Sequence, residues 1–199
     1  MPKKSTVLLI AFLFGIGVLF ASCAGMQTKP TAANFKDPVI TLDSVQLSYY
    51  TGWWTYGKAK VALGKAPKFG GSSAVTLVFV FEIANPNSYP VLLNDAQFFL
   101  YFDDYELRIV RDMNEMWIPA GKTNSKVLHV TLDPVTTWGK FLLAGKQLAQ
   151  ERGDKPWGKV SQWWLGLPDM QLKIDVTEGS FSFRSDGVSK VVGFSATYP

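Results

Sequence analysis

The stretch AVTLVFVFEIANPN, residues 74–87, joins the most regular strand pattern of the chain to an abrupt turn. Every second residue of its first ten is large and apolar, and the residues between them are also largely apolar. This pattern predicts a central strand with one fully buried face. The residues of that face are Val75, Leu77, Phe79, Phe81 and Ile83.

The NPN motif at 85–87 predicts a corner at the end of this strand. Pro86 pushes Asn85 into extended geometry and fixes its own φ, while Asn87 tolerates a left-handed or Asx-turn conformation. Asparagine and proline supply neither a general base nor a nucleophile. We therefore predict that Asn85, Pro86 and Asn87 form a structural motif that redirects the chain.

Alternation with a period of two continues on both sides of this strand. A one-residue slip at Asp43-Ser44 predicts a bulge, and Asp103-Asp104 and the SDG stretch at 185–187 predict turns. Short antiparallel strands separated by turn signals indicate an all-β sandwich or barrel. The further strand segments are 39–50, 97–102, 107–109, 127–132, 170–177, 180–184 and 188–196.

One segment changes to helical spacing. In LDPVTTWGKFLLAGKQLAQER the apolar residues recur every three or four positions, Asp133 suits the N-cap, and Pro134 suits the first helical position. The sequence predicts a single α-helix over about 134–151 that stops near Gly153.

The N-terminal sequence is typical of a targeting segment. Lys3 and Lys4 precede an apolar run from Val7 to Phe20, and small residues then lead to Cys23. The run is short for a membrane-spanning helix, which needs about 20 apolar residues. The stretch FASC at 20–23 resembles the lipobox of bacterial lipoproteins, although Phe20 stands where an aliphatic residue is usual.

This resemblance implies that Cys23, the only cysteine of the chain, receives a diacylglycerol and further acylation such as palmitate after removal of a signal peptide, residues 1–22. We expect a lipidated tether at 23–36 and a folded domain at 37–199. The protein would then be a cell-envelope protein bound to the membrane through Cys23. In a Gram-negative host, Ala24 after the cysteine implies the outer membrane, facing the periplasm. An uncleaved anchor and an ordinary secretory signal are the alternatives.

The charge balance argues against a nucleic-acid partner. The chain has 20 basic and 16 acidic residues, and loss of Lys3 and Lys4 with the leader leaves 18 against 16. A nearly neutral domain lacks the basic footprint of nucleic-acid-binding proteins. Oligomeric state does not follow from the sequence.

Residue types that support catalysis are scarce. The single histidine, His129, alternates with apolar neighbours and falls on the more exposed face of its strand. One histidine and a lipidated cysteine cannot build the usual zinc sites or an activated thiol. Asp103-Asp104 resembles a carboxylate pair, but it falls at a turn where neighbouring side chains diverge. We expect no catalytic residues, metal or cofactor, and no enzyme activity.

A family resemblance appears at EIANPNSYPVLL, residues 82–93. It continues through MWIPAGKTNSKVLHVTL at 116–132, the helix, and VTEGSFSFRSDG at 176–187. These segments resemble, in the same order, the type 2 late embryogenesis abundant proteins and their WHy (water stress and hypersensitive response) domain. The resemblance implies a fibronectin-III or immunoglobulin-like sandwich of about seven strands with one helix, and a non-catalytic role in desiccation or other stress response. The insertion at Tyr49–Gly71 is longer and more aromatic than the family pattern.

Two tryptophan pairs lie in loop-like sequence near lysines. Trp53 and Trp54 are in YYTGWWTYGKAK, and Trp163 and Trp164 are in DKPWGKVSQWWLGLP. Tryptophan beside lysine suits a membrane interface, so these four residues are candidates for membrane or lipid contact. Burial against the sandwich core is the alternative. In an extended loop, we expect one ring of each pair to be buried and the other exposed.

Three classes of function agree with these patterns. The first is a lipid-anchored domain that protects membranes or proteins under water stress. The second is a lipid-binding or lipid-transfer module, which requires an apolar groove between the helix and the sheets. The third is an envelope scaffold that recruits a protein partner through a sheet edge or its aromatic residues.

Overall fold

The structure, a computed structural model, describes residues 29–53 and 73–199. These residues form eight strands in two antiparallel sheets, which confirms the all-β sandwich. The strands are β1 Val39–Tyr50, β2 Val75–Ala84, β3 Val91–Phe102, β4 Tyr105–Asp112, β5 Met116–Ile118, β6 Thr123–Leu132, β7 Ile174–Ser185 and β8 Val188–Tyr198. One sheet has the order β1-β2-β6, and the other β4-β3-β7-β8, with β5 paired to β3.

The central position predicted for β2 is confirmed. It pairs antiparallel with β1 and β6, and its five predicted core residues are fully buried. The ring of Phe81 lies 5.6 Å from that of Phe98 and 5.5 Å from that of Phe181, both on the opposite sheet. The two sheets are therefore joined by interlocking aromatic rings, which bury large apolar areas.

The predicted irregularities in the strands are also present. A register shift between Leu42 and Ser44 marks the bulge in β1, and turns occupy Asp103-Asp104 and Asp186-Gly187. Two strands were predicted, at 170–177 and 180–184. Residues 170–173 lie outside any strand, and the rest form one strand, β7, which passes through a bulge with Glu178 at φ 50°.

The prediction of a single helix over 134–151 was wrong. Two helices, α1 Pro134–Ala144 and α2 Lys146–Arg152, meet at Gly145. A Cβ at Gly145 would lie 2.9 Å from both the Phe141 carbonyl oxygen and Tyr105 Cδ1, so the chain breaks where only glycine fits. The predicted start and stop are confirmed: Asp133 Oδ1 accepts a bond from Val135 N at 2.9 Å, and Gly153 ends α2 with φ 70°.

A third helix occupies sequence that we predicted to be loop. This helix, α3, runs over Pro156–Gly166, and a short 3₁₀ turn at Leu167–Asp169 follows it. Pro156 is at its start, and its buried residues Val160, Trp163 and Trp164 follow the three- and four-residue spacing of one helix face. The adjacent tryptophans and nearby glycines concealed this periodicity.

The folded part also begins earlier than Asp37. Phe35 is 4% exposed and belongs to the core, with its ring 6.2 Å from that of Tyr89. Thr31 and Asn34 form a turn through Thr31 N and Asn34 Oδ1 at 2.8 Å. The predicted tether at 23–36 is therefore corrected: Phe35 belongs to the core, and Asn34 and Lys36 are hydrogen-bonded to the domain.

The sandwich has two chemically different ends. We define the NPN end as residues 29–37, 85–90, 115–122 and 184–190, which are brought together by the pairing of β2 with β6 and of β3 with β5 and β7. The helical end contains α1, α2, α3 and the β3–β4 turn. The 12 residues of β3 run between them, a length of about 35 Å at about 3.3 Å per residue.

Candidate functional site

The NPN corner holds its neighbours through the side chain of Asn85, which is 2% exposed. Asn85 Nδ2 donates to the carbonyl oxygens of Tyr89 at 2.9 Å, Ile118 at 3.1 Å and Pro119 at 3.1 Å. Its backbone N–H donates to Lys122 O at 2.8 Å. One side chain thus satisfies buried carbonyl groups of two loops, and an unsatisfied group there would be costly.

Asn87 fixes the segment that leads into β1. Its Oδ1 accepts from Lys36 N at 2.8 Å, and its Nδ2 donates to Lys36 O at 2.8 Å. Asn87 N also donates to Asn85 Oδ1 at 3.0 Å, which closes an Asx-turn. The side-chain amide of Asn87 therefore pairs with the backbone of Lys36 as a neighbouring strand would. These contacts hold the segment before β1 against the NPN corner.

Trp163 and Trp164 are not available for membrane contact, because they are 1% and 0% exposed. The expectation of one buried and one exposed ring was wrong for this pair, because a helix places both residues toward the core. Trp163 Nε1 donates to Asp103 Oδ2 at 2.8 Å, and Trp164 Nε1 donates to Ser73 O at 2.6 Å. Each buried N–H thus has an acceptor.

Trp53 is half-buried, and its ring lies 5.1 Å from that of Trp157 and 6.5 Å from that of Trp164. Trp157, which is 40% exposed, also meets Trp138 at 6.1 Å. Among the described tryptophans, the exposed rings are therefore Trp157 and Trp117, both outside the predicted pairs. Cys23 and Trp54 lie outside the described residues.

The Asp103-Asp104 turn binds two of the helices, which its sequence alone does not predict. Asp103 Oδ2 accepts from Trp163 and also lies 2.9 Å from Lys159 Nζ on α3. Asp104 binds Arg152 of α2 at 2.7 Å and Lys173 at 2.9 Å. Both residues have positive φ, 48° and 69°. The turn thus presents its two carboxylates to two helices, a relation that depends on α3 and was invisible without it.

The electrostatics of this turn follow from its partners. The hydrogen bond from Arg152, and then that from Lys173, lowers the pKa of Asp104. Burial raises the pKa of Tyr105 to about 12, and its hydrogen bond to Asp154 Oδ2 at 2.8 Å acts in the same direction. Tyr105 therefore stays protonated, and its hydroxyl donates to Asp154, which joins β4 to the segment that follows α2.

The space between the helices and the sheet is filled with rings. Tyr105 stacks on Phe141 at 4.4 Å, and Trp163 packs against Tyr105, Phe141 and Phe102 at 5.6 to 5.8 Å. A groove for an acyl chain at this place would require these side chains to separate. The described structure therefore gives the lipid-transfer hypothesis no support here.

Charged groups elsewhere form pairs within the sandwich. Lys126 points inward from the edge strand β6, is 8% exposed, and binds Asp112 of β4 at 2.5 Å. Burial is the largest single influence and raises the pKa of Asp112, but the hydrogen bonds from Lys126 and Asn114 and the charge of Lys126 together outweigh it, so the pKa of Asp112 is lowered. An inward charge on an edge strand discourages pairing with another chain.

The described residues contain no group of three or more histidine, cysteine, aspartate and glutamate side chains suited to hold a metal ion. His129 is exposed on β6, the face predicted from its alternation. Across residues 29–53 and 73–199, no helix has both the length and the apolar character needed to span a bilayer.

A depression at the NPN end brings together residues far apart in sequence. Trp117 of β5 is 57% exposed and lines it. Its volume is about 570 Å³. The other lining residues are Lys29, Pro30, Tyr89, Pro90, Ser185 and Asp186. Nothing in the sequence marks Trp117 as a site residue, because a lone tryptophan in a short strand carries no periodic signal.

No protein-family model matches the chain, and neither does any curated protein. Solved structures with similar chain paths have low sequence identity. A protein from Archaeoglobus fulgidus is 10% identical with a TM-score of 0.44, covering 79% of this chain and 94% of its own. A Northeast Structural Genomics Consortium target is 7% identical with a TM-score of 0.43, covering 80% and 84%. The solution structure of a candidate late embryogenesis abundant (LEA) protein is 13% identical with a TM-score of 0.31, covering 98% and 86%.

Proposed function

We propose that the protein is a lipid-anchored component of the bacterial cell envelope whose sandwich domain acts without catalysis to protect membranes or proteins under desiccation or other stress. The observation that carries the proposal is the position of Cys23, the only cysteine, directly after an apolar run and two small residues. Acylation there would anchor the chain firmly, because each buried methylene contributes about 0.8 kcal/mol and several chains act together.

The use made of the NPN motif supports a non-catalytic role. Asn85 and Asn87 direct their side chains to backbone groups, and both are almost fully buried. A substrate would have to displace these bonds to reach either amide. The contacts of the NPN motif therefore support a role in stabilising the fold.

The protective role is supported by the order of the segments EIANPNSYPVLL, MWIPAGKTNSKVLHVTL and VTEGSFSFRSDG, which resembles that of the WHy domain.

A scaffold role is the second candidate, and exposed apolar side chains on the helices favour it. Leu143 is 87% exposed, Leu165 60% and Trp157 40%. A protein partner that covered these side chains would bury apolar area now in contact with water.

Two experiments test the proposal. Metabolic labelling with a fatty acid should mark the wild type and not Cys23→Ser; equal labelling of both would exclude lipidation at this residue. For protection, a drying-sensitive enzyme should retain more activity after drying and rehydration with this protein than with an equal mass of an inert globular protein.

The second experiment separates the alternatives. Loss of protection after heat denaturation of the wild type would tie protection to the folded domain, whereas no protection by the native wild type would exclude the protective role. Binding of a protein partner that disappears in Leu143→Ser/Leu165→Ser would favour the scaffold. A lipid that co-purifies in a fixed ratio would favour the lipid-binding module.

A further inference from the structure

We infer that the NPN end of the sandwich faces the lipid bilayer that holds the N-terminus, with Trp117 in the headgroup layer, and that the helical end points away from that membrane. The inference rests on the proposed N-terminal anchor. It holds for an acylated Cys23 and also for an uncleaved apolar segment ending at Phe20, because the nine residues from Phe20 to Lys29 span about 30 Å, less than the distance between the two ends of the domain.

The length of chain before the domain sets the first constraint. Six residues lead from Cys23 to Lys29, the first residue that the structure describes. Even fully extended they span about 20 Å, at about 3.3 to 3.6 Å per residue. The domain therefore lies within about 20 Å of the anchored residue at the point where Lys29 meets it.

The second constraint is that this point of contact is fixed on the domain. Asn34 Nδ2 donates to Lys29 O at 3.0 Å, and Tyr89 Oη donates to Asn34 Oδ1 at 3.1 Å. Phe35 is buried and Lys36 is paired with Asn87. The tether thus leaves from the NPN end, and the helical end lies about 35 Å further along the strands.

The chemistry of the NPN end suits a headgroup layer. Trp117 is 57% exposed and lines the same depression as Lys29. An exposed indole has an apolar body and a polar N–H, so the wet edge of a bilayer accommodates both, and a neighbouring lysine reaches the phosphates. A single exposed tryptophan elsewhere would need no such account, but this one adjoins the anchored segment.

Charge at this end points the same way. The NPN end contains five basic residues, Lys29, Lys36, Lys122, Arg184 and Lys190, and three acidic residues, Asp37, Glu115 and Asp186. Two pairs neutralise each other, Arg184 with Glu115 at 2.8 Å and Lys190 with Asp37 at 2.5 Å. Lys29, Lys36 and Lys122 then remain, with Asp186 as the one remaining acidic residue of this end. The resulting net positive charge favours contact with anionic lipid phosphates.

The test compares exposed tryptophans at opposite ends of the molecule. The full-length chain, purified from membranes, is reconstituted into vesicles in which one lipid carries brominated acyl chains that quench nearby indole fluorescence. Trp117→Phe should abolish most of the quenching seen in the wild type. Trp157→Phe, the matched control at the helical end, should leave it unchanged. Both residues are exposed, so melting temperatures should stay close to that of the wild type.

Each other outcome overturns the inference. Quenching lost in Trp157→Phe and kept in Trp117→Phe would place the helical end at the membrane. A wild type that floats with the vesicles but is not quenched would place the domain away from the bilayer. A chain that does not float with the vesicles would exclude attachment of this protein to a membrane.

The mass of the N-terminal peptide, measured on the same sample, distinguishes this inference from the proposed lipidation. An unmodified Cys23 with quenching that depends on Trp117 would reject acylation and keep the orientation. An acylated Cys23 without that quenching would do the opposite.

Discussion

Asp103 Oδ2 lies 2.8 Å from Trp163 Nε1, joining a turn in the second sheet to the buried face of a helix 60 residues later. The same oxygen lies 2.9 Å from Lys159 Nζ, one turn earlier on that helix. The Lys159 ammonium in turn lies 5.9 Å from the Trp163 ring. A single carboxylate therefore positions α3 against the sandwich through one buried donor and one cation.

Asp103→Ala should lower the free energy of unfolding by on the order of 1–3 kcal/mol, because the buried Trp163 N–H loses its acceptor. Asp103→Asn should lower it less, since an amide oxygen can still accept and asparagine tolerates the observed φ of 48°. Urea unfolding of both variants measures the difference. Equal losses in the two would mean that charge, and not the hydrogen bond, is the main contribution.

The neighbouring carboxylate should make stability depend on pH. Arg152 and then Lys173 lower the pKa of folded Asp104, so its ionised form stabilises the fold above the unfolded pKa of about 3.9. That contribution is lost as pH falls through the lower folded pKa. Since the side chain is half exposed, the effect should be small.

The measurement is the difference in unfolding free energy between the wild type and Asp104→Asn, taken by urea unfolding at pH 7 and near pH 2. The wild type should be the more stable at pH 7, and the difference should shrink in acid. A difference that is the same at both values would contradict an electrostatic origin.

Asn85→Ala should destabilise the domain by on the order of 1–3 kcal/mol, because the carbonyl groups of the buried residues Tyr89 and Ile118 lose a shared donor. Asn85→Asp keeps the shape but turns a carboxylate oxygen toward those carbonyls, so it should destabilise more. Denaturant midpoints of the two variants test this order. An unchanged midpoint together with a lost binding activity would instead make Asn85 part of a functional site.

The strand pattern could be predicted because β2 and its neighbours bury one face, and alternation reports that directly. The NPN corner could be predicted because proline and asparagine restrict the backbone locally. Other features depend on contacts distant in sequence. At Gly145, where the two helices meet, Tyr105 leaves no room for a Cβ. Phe35 packs on Tyr89, and Asn87 holds the next residue, Lys36. No local pattern contains either relation.

Replacing Gly139 and replacing Gly145 by alanine should change the stability of the domain in opposite directions. A Cβ at Gly139, inside α1, meets nothing within 4 Å, so Gly139→Ala should stabilise the domain by about 0.5–1 kcal/mol through helix propensity. Gly145→Ala should destabilise it, since its Cβ would fall 2.9 Å from a backbone oxygen and from a buried ring. Thermal unfolding of both should give shifts of opposite sign. Stabilisation by both would mean that α1 and α2 can join into one helix.

Trp163 should be the most sensitive of the tryptophans tested, because its ring is 1% exposed and packs on three other aromatic rings. Trp163→Ala should lower the free energy of unfolding by about 3–5 kcal/mol. Trp117→Ala, at a site that is 57% exposed, should change it by less than about 0.5 kcal/mol.

Trp163→Phe retains a ring but removes the donor to Asp103, so combining it with Asp103→Ala should give less than the sum of the two single losses. Chemical unfolding of the wild type, Trp163→Phe, Asp103→Ala and the double variant completes the cycle. Strict additivity would show that the 2.8 Å contact between Asp103 and Trp163 contributes nothing to the docking of α3.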